Sequence, residues 1–417
     1  MLSLRYGIDS SLSLELDSEA LLALCDAPRG EPIERVAEAV MGALAEPLDF
    51  PPLVQACLPG DKVVLALDRG VPGAAAIVRQ TVEVLLGGGV GAADITLVCA
   101  PAGSAGPDPL GELPAAVRKS VACRVHDPRN RPSLSYLAAA ADGRPIYVNR
   151  AIHDADLVIP IGVLRLADSL GYHGAKSALF PAFSDAESLE RFRSPKAAGL
   201  DERNRLRKQA DEVSWLLGVR FTIQVVPGAT GEILHVLAGD LDAVSREGSR
   251  LCDAAWSYAV PERASLVVAA IEGDAAEQTW ENVGRALAAA SHALAEDGAV
   301  VICSELAEPF SPALQRIVGA DDLDDALHEI ARERLSDALV AAELVRALKR
   351  GRVYLVSRLD DESVEELGVL PVDRRGVSRV AGRHPSCIVL AGAQNARARP
   401  RSEPAVEHSA PGPKSRS

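Results

Sequence analysis

Aromatic and basic side chains are both scarce in this chain. Phenylalanine, tyrosine and tryptophan make up 4% of the 417 residues, and 44 basic residues face 58 acidic ones, which gives a net charge of -14. Nucleic-acid binding needs a basic face against the phosphates, so this balance excludes that class of function. The hydrophobic fraction is 48%, and a core of alanine, valine and leucine suits helices packed on parallel strands.

Long apolar runs and paired cysteines are also missing. No run approaches the ~20 residues that a membrane span requires, and charged residues near the start leave no signal-peptide segment. The seven cysteines are scattered, odd in number and contain no CxxC pair. We therefore predict a cytoplasmic protein with reduced thiols and no membrane contact.

The common catalytic signatures do not occur either. The chain has no HExxH, GxSxG or P-loop pattern, and it has only eight histidines from which a metal site could be built. A glycine run at 87–91 resembles a dinucleotide-binding fingerprint, but it follows a predicted helix and precedes a predicted strand, the reverse of the required order. We interpret these glycines as the end of a helix and a turn.

Predicted strands and helices alternate along most of the chain, which indicates an α/β fold with largely parallel sheets flanked by helices. The length exceeds one ordinary core. We predict two such domains, residues 1–258 and 259–392, with a disordered tail over 393–417. We also expect a short helix at 18–25 and one continuous helix at 322–348.

One stretch, residues 148–181, concentrates the residues that could carry chemistry. An apolar run at 157–162 predicts a buried strand, and a loop with His173, Gly174 and Lys176 follows it. Ligands of open α/β sheets bind beyond the carboxyl ends of the strands, so we expect a site here. His173 is either a functional group or a hydrogen-bonded loop histidine. Lys176 either holds a phosphate or a covalent attachment, or is an ordinary exposed lysine.

A second group of candidates follows the predicted strand at 62–68. Asp68 ends that strand, where it could bind a ribose or orient a catalytic residue, or could interact with a helix dipole. Arg69 beside it could meet an anion. His126, in a loop after another strand, is a further candidate acid or base, against the alternative of a solvated or hydrogen-bonded side chain.

Taken together, several short motifs resemble the nickel-dependent lactate racemase (LarA-like) family over most of the chain. They are Asp68 with Pro72, His126-Asp127, residues 148–150, residues 155–159, Gly174-Ala175-Lys176 with Pro181, and residues 297–302. The resemblance implies two α/β domains with a ligand cleft between them. It also implies racemisation or epimerisation of a 2-hydroxy acid by hydride transfer through a nickel-pincer nucleotide tethered to the lysine that matches Lys176. In that chemistry two histidines exchange the hydroxyl proton and a third binds nickel.

The chain departs from the family pattern where those histidines are expected. The catalytic loop after the second long strand reads Ala100-Pro101-Ala102-Gly103, the second catalytic position aligns with Leu166, and the nickel-ligand position falls near Phe192. The first-strand arginine becomes Val71, and the polar pair of the second domain becomes approximately Glu281 and Gly284. No residue is predicted as a metal ligand.

These departures leave three hypotheses. In the first, the chain is a divergent isomerase in which His173 or His126 is the acid and base. Lys176 then tethers the cofactor, with Asp68, Arg69 and Gly174 contacting it. In the second, it is a catalytically lapsed member that binds a small 2-hydroxy acid or related carboxylate without turnover. In the third, only the scaffold persists and binds a protein partner.

Overall fold

A computed structural model describes residues 2–26, 28–101, 107–166, 170–194, 200–335 and 337–402. The strands in this part of the chain are β1 Leu2–Tyr6, β2 Ser10–Leu14, β3 Leu21–Cys25, β4 Val63–Leu67, β5 Ile95–Cys99, β6 Ala122–Val125, β7 Leu134–Ala139, β8 Pro145–Asn149, β9 Leu157–Val163, β10 Thr222–Pro227, β11 Ile233–Gly239, β12 Ser257–Val260, β13 Ala264–Ala270, β14 Leu294–Cys303, β15 Arg352–Val356, β16 Leu370–Pro371, β17 Cys387–Leu390 and β18 Arg397–Pro400.

The helices are α1 Val36–Ala45, α2 Ala74–Gly87, α3 Ala115–Ser120, α4 Arg150–His153, α5 Ala186–Arg193, α6 Leu200–Leu216, α7 Leu241–Trp256, α8 Trp280–Ala293, α9 Pro312–Ile317, α10 Leu323–Glu333, α11 Ala338–Arg350, α12 Asp361–Glu366 and α13 Arg374–Ala381. Among the described residues no helix is long and apolar enough to cross a membrane.

The first sheet has the strand order β11-β10-β9-β4-β5-β6 and is parallel except for the β10–β11 hairpin. Its central strands β4 and β9 pair in register, with Leu65 opposite Ile159, and almost every side chain on them is buried. Strands covered on both faces need continuous apolar sequence, and that is the pattern from which the parallel sheet was predicted.

The second sheet has the order β16-β15-β14-β13-β17-β3 and is parallel throughout. Each domain therefore contains a largely parallel sheet flanked by helices, and the predicted fold class is confirmed. The hairpin β1–β2 packs its buried side chains, Leu4 and Leu12 among them, against the face of this second sheet.

The predicted helix at 18–25 is wrong, because residues 21–25 form β3 at the edge of the second sheet. The amide of Cys387 donates to the carbonyl of Ala20 at 2.7 Å, and that of Ala391 donates to Cys25 at 2.8 Å. Pairing with β17 satisfies a short apolar segment better than a helix of this length could. Residues 2–25 thus pack with the second sheet, although we assigned them to the domain at 1–258.

The predicted disordered tail begins too early. Residues 397–400 form β18, which runs parallel to β12, and Ala398 is fully buried. The guanidinium of Arg397 hydrogen-bonds to Asp253 and to the hydroxyl of Ser257, which offsets the cost of placing an arginine there. Residues 403–417 of the tail prediction lie outside the described part.

The helix predicted at 322–348 is two helices. α10 ends where Arg334 takes a left-handed conformation with φ of 55°, and α11 begins at Ala338. A left-handed residue is a common helix end and turns the chain sharply.

Candidate functional site

The carboxyl ends of β4 and β9 face the amino-terminal turns of α8 across the boundary between the two sheets. Arg69 follows β4, Arg165 follows β9, and Arg193 ends α5, while Glu281 and Arg285 lie one turn apart on α8. We call these five residues, together with Asp68 and His173, the interdomain charge cluster.

One carboxylate connects the cluster. Oε2 of Glu281 lies 3.4 Å from Nη1 of Arg69, and its other oxygen accepts a hydrogen bond from Arg285. Arg285 also donates from Nη1 to Oδ1 of Asn282 at 2.6 Å. The charge of Arg285, and then that of Arg69, holds the pKa of Glu281 far below its usual range although burial opposes this. Glu281 is therefore ionised at any physiological pH.

Within the part of the chain that the structure describes, Arg165 and Arg193 form no ion pair, and Nη1 of Arg165 donates to Oδ1 of Asn395. The pKa values of both arginines respond to the positive charges around them. Burial, and then Arg285, lowers the pKa of Arg165 to about 10. Burial, and then Arg69, lowers the pKa of Arg193. Burial raises the pKa of Asp68, the second acid of the cluster. Four guanidiniums therefore meet one firmly ionised carboxylate, and the cluster attracts anions.

His173 lies in this cluster as a neutral imidazole. Its Nε2 is 2.7 Å from the carbonyl of Leu170, so it carries the proton and donates it there. Burial, followed by the charges of Arg285 and Arg165, lowers the pKa of His173 to about 3. Such a group exchanges protons poorly at neutral pH, whereas its Nδ1 is left as an acceptor.

His126 is buried elsewhere, and its ring serves the packing of the first domain. Nε2 donates to the carbonyl of Ser184 at 2.8 Å, and Nδ1 accepts from the Asn149 amide at 3.1 Å. The ring packs on Phe183 with 5.7 Å between centroids. Both nitrogens are engaged, so no nitrogen of His126 is left for a substrate.

Lys176 lies on a tight turn that begins at Gly174, whose φ of 145° suits glycine. Its Nζ lies 2.8 Å from a carboxylate oxygen of Asp211 on α6 and 2.8 Å from one of Asp242 on α7. Burial disfavours the charge, but the hydrogen bonds that Lys176 donates to Asp211 and Asp242 outweigh it and raise the pKa of Lys176. The side chain is thus an ammonium held between two carboxylates.

Comparison with known proteins agrees with the architecture. Residues 6–194 match the model of the lactate racemase N-terminal domain. The lactate racemase of Thermoanaerobacterium thermosaccharolyticum is 21% identical over 267 residues, which are 60% of this chain and 62% of that protein. The chain is similar to the lactate racemase-like (LarA-like) family, and the family model covers its residues 6–194. The matched sequence spans less than two thirds of that relative.

Solved structures show the same fold over nearly the whole LarA-like chain. The apoprotein of the Thermoanaerobacterium thermosaccharolyticum lactate racemase superposes with a TM-score of 0.78 at 17% identity, covering 95% of this chain and 99% of that one. A protein from Thermotoga maritima superposes with a TM-score of 0.67 at 14% identity, covering 89% and 99%.

The described residues of this LarA-like protein do not fit the lysine-tethered nickel-pincer nucleotide. A tether needs a free amine, whereas Lys176 is a doubly paired ammonium. Phe192, at the predicted nickel-ligand position, is 2% exposed and packs edge-on against Phe180 and Tyr172 with 5.4 Å between centroids in each pair. Leu166 is buried. Residues 102–106, in the predicted catalytic loop, lie outside the described part.

No group of three or more histidine, cysteine, aspartate or glutamate side chains within the described residues could hold a metal ion. The described side chains of the interdomain charge cluster are four arginines, two acids and a neutral imidazole.

Sequence reasoning found Asp68, Arg69 and His173 but missed Arg165, Arg193 and Arg285. Arg165 comes two residues after the end of β9, and the same strand-end logic that selected Asp68 could have selected it. The spacing of Glu281 and Arg285 by one helical turn was also visible. At Gly284 no side chain is accommodated, since a Cβ there would lie 2.7 Å from Leu170.

Proposed function

We propose that this LarA-like protein binds a small carboxylate of the 2-hydroxy acid class in the interdomain charge cluster, without the nickel-pincer nucleotide. The main support for this proposal is that one carboxylate, that of Glu281, interacts electrostatically with four arginines: Arg69, Arg165, Arg193 and Arg285. That carboxylate occupies the place that a ligand's carboxylate would take.

The donors suit such a ligand. Guanidinium groups bind carboxylates through paired hydrogen bonds. Nε of Arg285 is buried and has no hydrogen-bond partner among the described residues, so a donor is available at the centre of the cluster. Nδ1 of His173 can accept the proton of a 2-hydroxyl group, which a simple carboxylate lacks.

Binding requires the two domains to separate slightly. A cavity beside the cluster, lined by Leu170, Tyr172, Phe192 and Leu339 among others, has a volume of about 20 Å³, which suits about one water molecule. A hydroxy acid needs more room. Opening would break the ion pair between Arg69 of the first domain and Glu281 of the second.

Calorimetric titration with D-lactate, L-lactate and propionate tests the proposal. We expect lactate to bind at low salt and more tightly than propionate, which lacks the hydroxyl. Arg69→Gln should weaken lactate binding about tenfold, because it removes one charge-assisted contact. Arg79→Gln is the control, since Arg79 is similarly exposed and pairs with Glu83 on α2. Equal effects of the two variants, or no binding at all, would refute the proposal.

The second candidate is racemisation with the pincer nucleotide. It is favoured by the position of Lys176 on the turn after Gly174, at the place where the family carries its cofactor lysine, within the matched residues 6–194. Lys176 would hold the group, which would supply hydride-transfer chemistry when bound. The test is expression with the genes that make the cofactor, followed by intact mass, nickel content and lactate racemisation. A mass adduct lost in Lys176→Ala, with turnover, would establish this function in place of the first.

We also propose the cytoplasm as the location. All seven cysteines are free thiols, and five of them are buried, which suits a reducing compartment.

A further inference from the structure

A groove of about 350 Å³ lies in the second domain, away from the interdomain charge cluster. It lies beyond the carboxyl ends of β14, β15 and β16, where open α/β sheets bind their ligands, and its volume is in the range of small-molecule sites. Its charged and aromatic lining consists of Tyr6, Glu305, Arg358, Asp361, Asp373 and Arg374.

The hairpin β1–β2 closes one side of the groove and already satisfies Glu305. The Ser10 hydroxyl donates to Glu305, and Nη2 of Arg358 lies 3.0 Å from its Oε2. These contacts, the Ser10 hydrogen bond foremost, lower the pKa of Glu305. The hairpin approaches so closely that a Cβ on Gly7, where φ is 62°, would lie 2.4 Å from the Glu305 side chain. Glu305 and Arg358 therefore neutralise each other.

Asp373 is engaged as well. Its Oδ1 caps α13 by accepting from the Gly376 amide at 2.6 Å and lies 3.5 Å from Nη2 of Arg379. Two lining charges are left. Arg374 stacks over the Tyr6 ring at 5.5 Å and donates to Ser10 at 2.9 Å, and it has no ion pair within the described ranges. Asp361 likewise has none there, and both side chains are exposed.

We propose that this groove binds a zwitterionic amino acid. Arg374 takes the α-carboxylate, with the Ser10 hydroxyl beside it, and Asp361 takes the α-ammonium. One uncompensated cation and one uncompensated anion on the walls of one groove match a ligand that carries both charges at close spacing. A simple anion would leave Asp361 unpaired, and a simple cation would leave Arg374 unpaired.

The test is a thermal-shift screen of the intact chain with the twenty common L-amino acids at about 10 mM, followed by calorimetry on the best binder. We expect at least one amino acid to bind. Its methyl ester, which lacks the carboxylate charge, and its N-acetyl derivative, which lacks the ammonium, should each bind at least about tenfold more weakly.

Two variants locate the binding. Arg374→Gln and Asp361→Asn should each weaken it about tenfold or more, while the matched exposed neighbours, Arg375→Gln and Glu362→Gln, should leave it unchanged. These four substitutions are on exposed positions, and lactate binding at the interdomain charge cluster should persist in all of them. The proposal is overturned if no amino acid binds, if a derivative binds as tightly, or if the control variants lose binding equally.

Discussion

Arg69 and Glu281 form an ion pair between the two domains, with 3.4 Å between Nη1 and Oε2. Arg69 follows β4, a central strand of the first sheet. Glu281 lies in the first turn of α8, above the second sheet. Since Glu281 is also hydrogen-bonded to Arg285, this carboxylate competes with any ligand for the guanidiniums. Under the proposed function, a ligand would bind only after this ion pair breaks and the cleft opens.

Replacing that competitor should tighten binding. Glu281→Gln removes the internal carboxylate but keeps the size of the side chain, so we expect the affinity for lactate to rise about tenfold. Calorimetry measures this, with Glu83→Gln as control, because Glu83 makes an exposed pair with Arg79 on α2. A fall in affinity would mean that Glu281 contacts the ligand itself.

Lys176→Met should destabilise the fold. The change leaves Asp211 and Asp242 without the ammonium that both contact at 2.8 Å. Because the carboxylates are about half exposed, we expect a loss of about 1–2 kcal/mol in the free energy of unfolding. Urea denaturation checks this against Lys208→Met, an exposed lysine on α6.

Lys176 should also make the stability of the fold decrease at alkaline pH. Its pKa is raised above the usual 10.5 by the hydrogen bonds that it donates to Asp211 and Asp242, despite burial. Its contribution is therefore complete below that pH and is lost as the pH rises through the folded-state pKa. The stability difference between the native chain and Lys176→Met should stay constant from pH 6 to about pH 10 and shrink above it. A difference that instead shrinks near neutral pH would contradict an ammonium in the folded state.

His173 should not titrate in the physiological range. With burial and the nearby arginines lowering its pKa to about 3, the folded chain keeps the imidazole neutral while the unfolded chain protonates it below about pH 6.5. The resulting stability is present above pH 6.5 and is lost as the pH falls toward 3. Between pH 7 and pH 5, the free energy of unfolding should therefore fall by about 2 kcal/mol less in His173→Gln than in the native chain.

An NMR titration gives an independent measure, since the His173 ring signals should not shift between pH 5 and pH 8. The exposed His153, which is 2.6 Å from Asp154, provides the control substitution, His153→Gln, for the stability measurements.

Ending the chain at Gly392 should destabilise the junction between the domains. The truncation removes β18 together with the buried side chains of Ala396 and Ala398, and it leaves β12 without its partner strand. We expect a loss of about 3 kcal/mol or more, measured as the urea midpoint. A chain ending at Ser402 keeps the strand and should match the full length. Equal stability of both truncated chains would contradict a stabilising role for β18.

Local patterns predicted what local forces determine. The apolar runs of β4 and β9 identified a parallel sheet, and the end of β4 located Asp68 and Arg69 in the site. By contrast, β3 and β18 were missed because short segments become strands only when a distant partner supplies the hydrogen bonds. The state of Lys176 depends on carboxylates from two other helices, and the convergence of Arg193 with Arg285 depends on how the domains pack. Neither follows from spacing along the chain.

The pairing of β3 with β17 has a consequence for how the chain is made. The ribosome makes β3 well before β17, yet Leu21 of β3 pairs with Cys387 of β17. The first sheet can form while translation continues, because its strands all lie between Val63 and Gly239. The second sheet cannot be completed until β17 has been made, so β3 remains unpaired until then. An unpaired apolar strand is prone to aggregate. Slow translation, or the lack of a holdase chaperone, should therefore reduce the yield of folded protein rather than its free energy of unfolding.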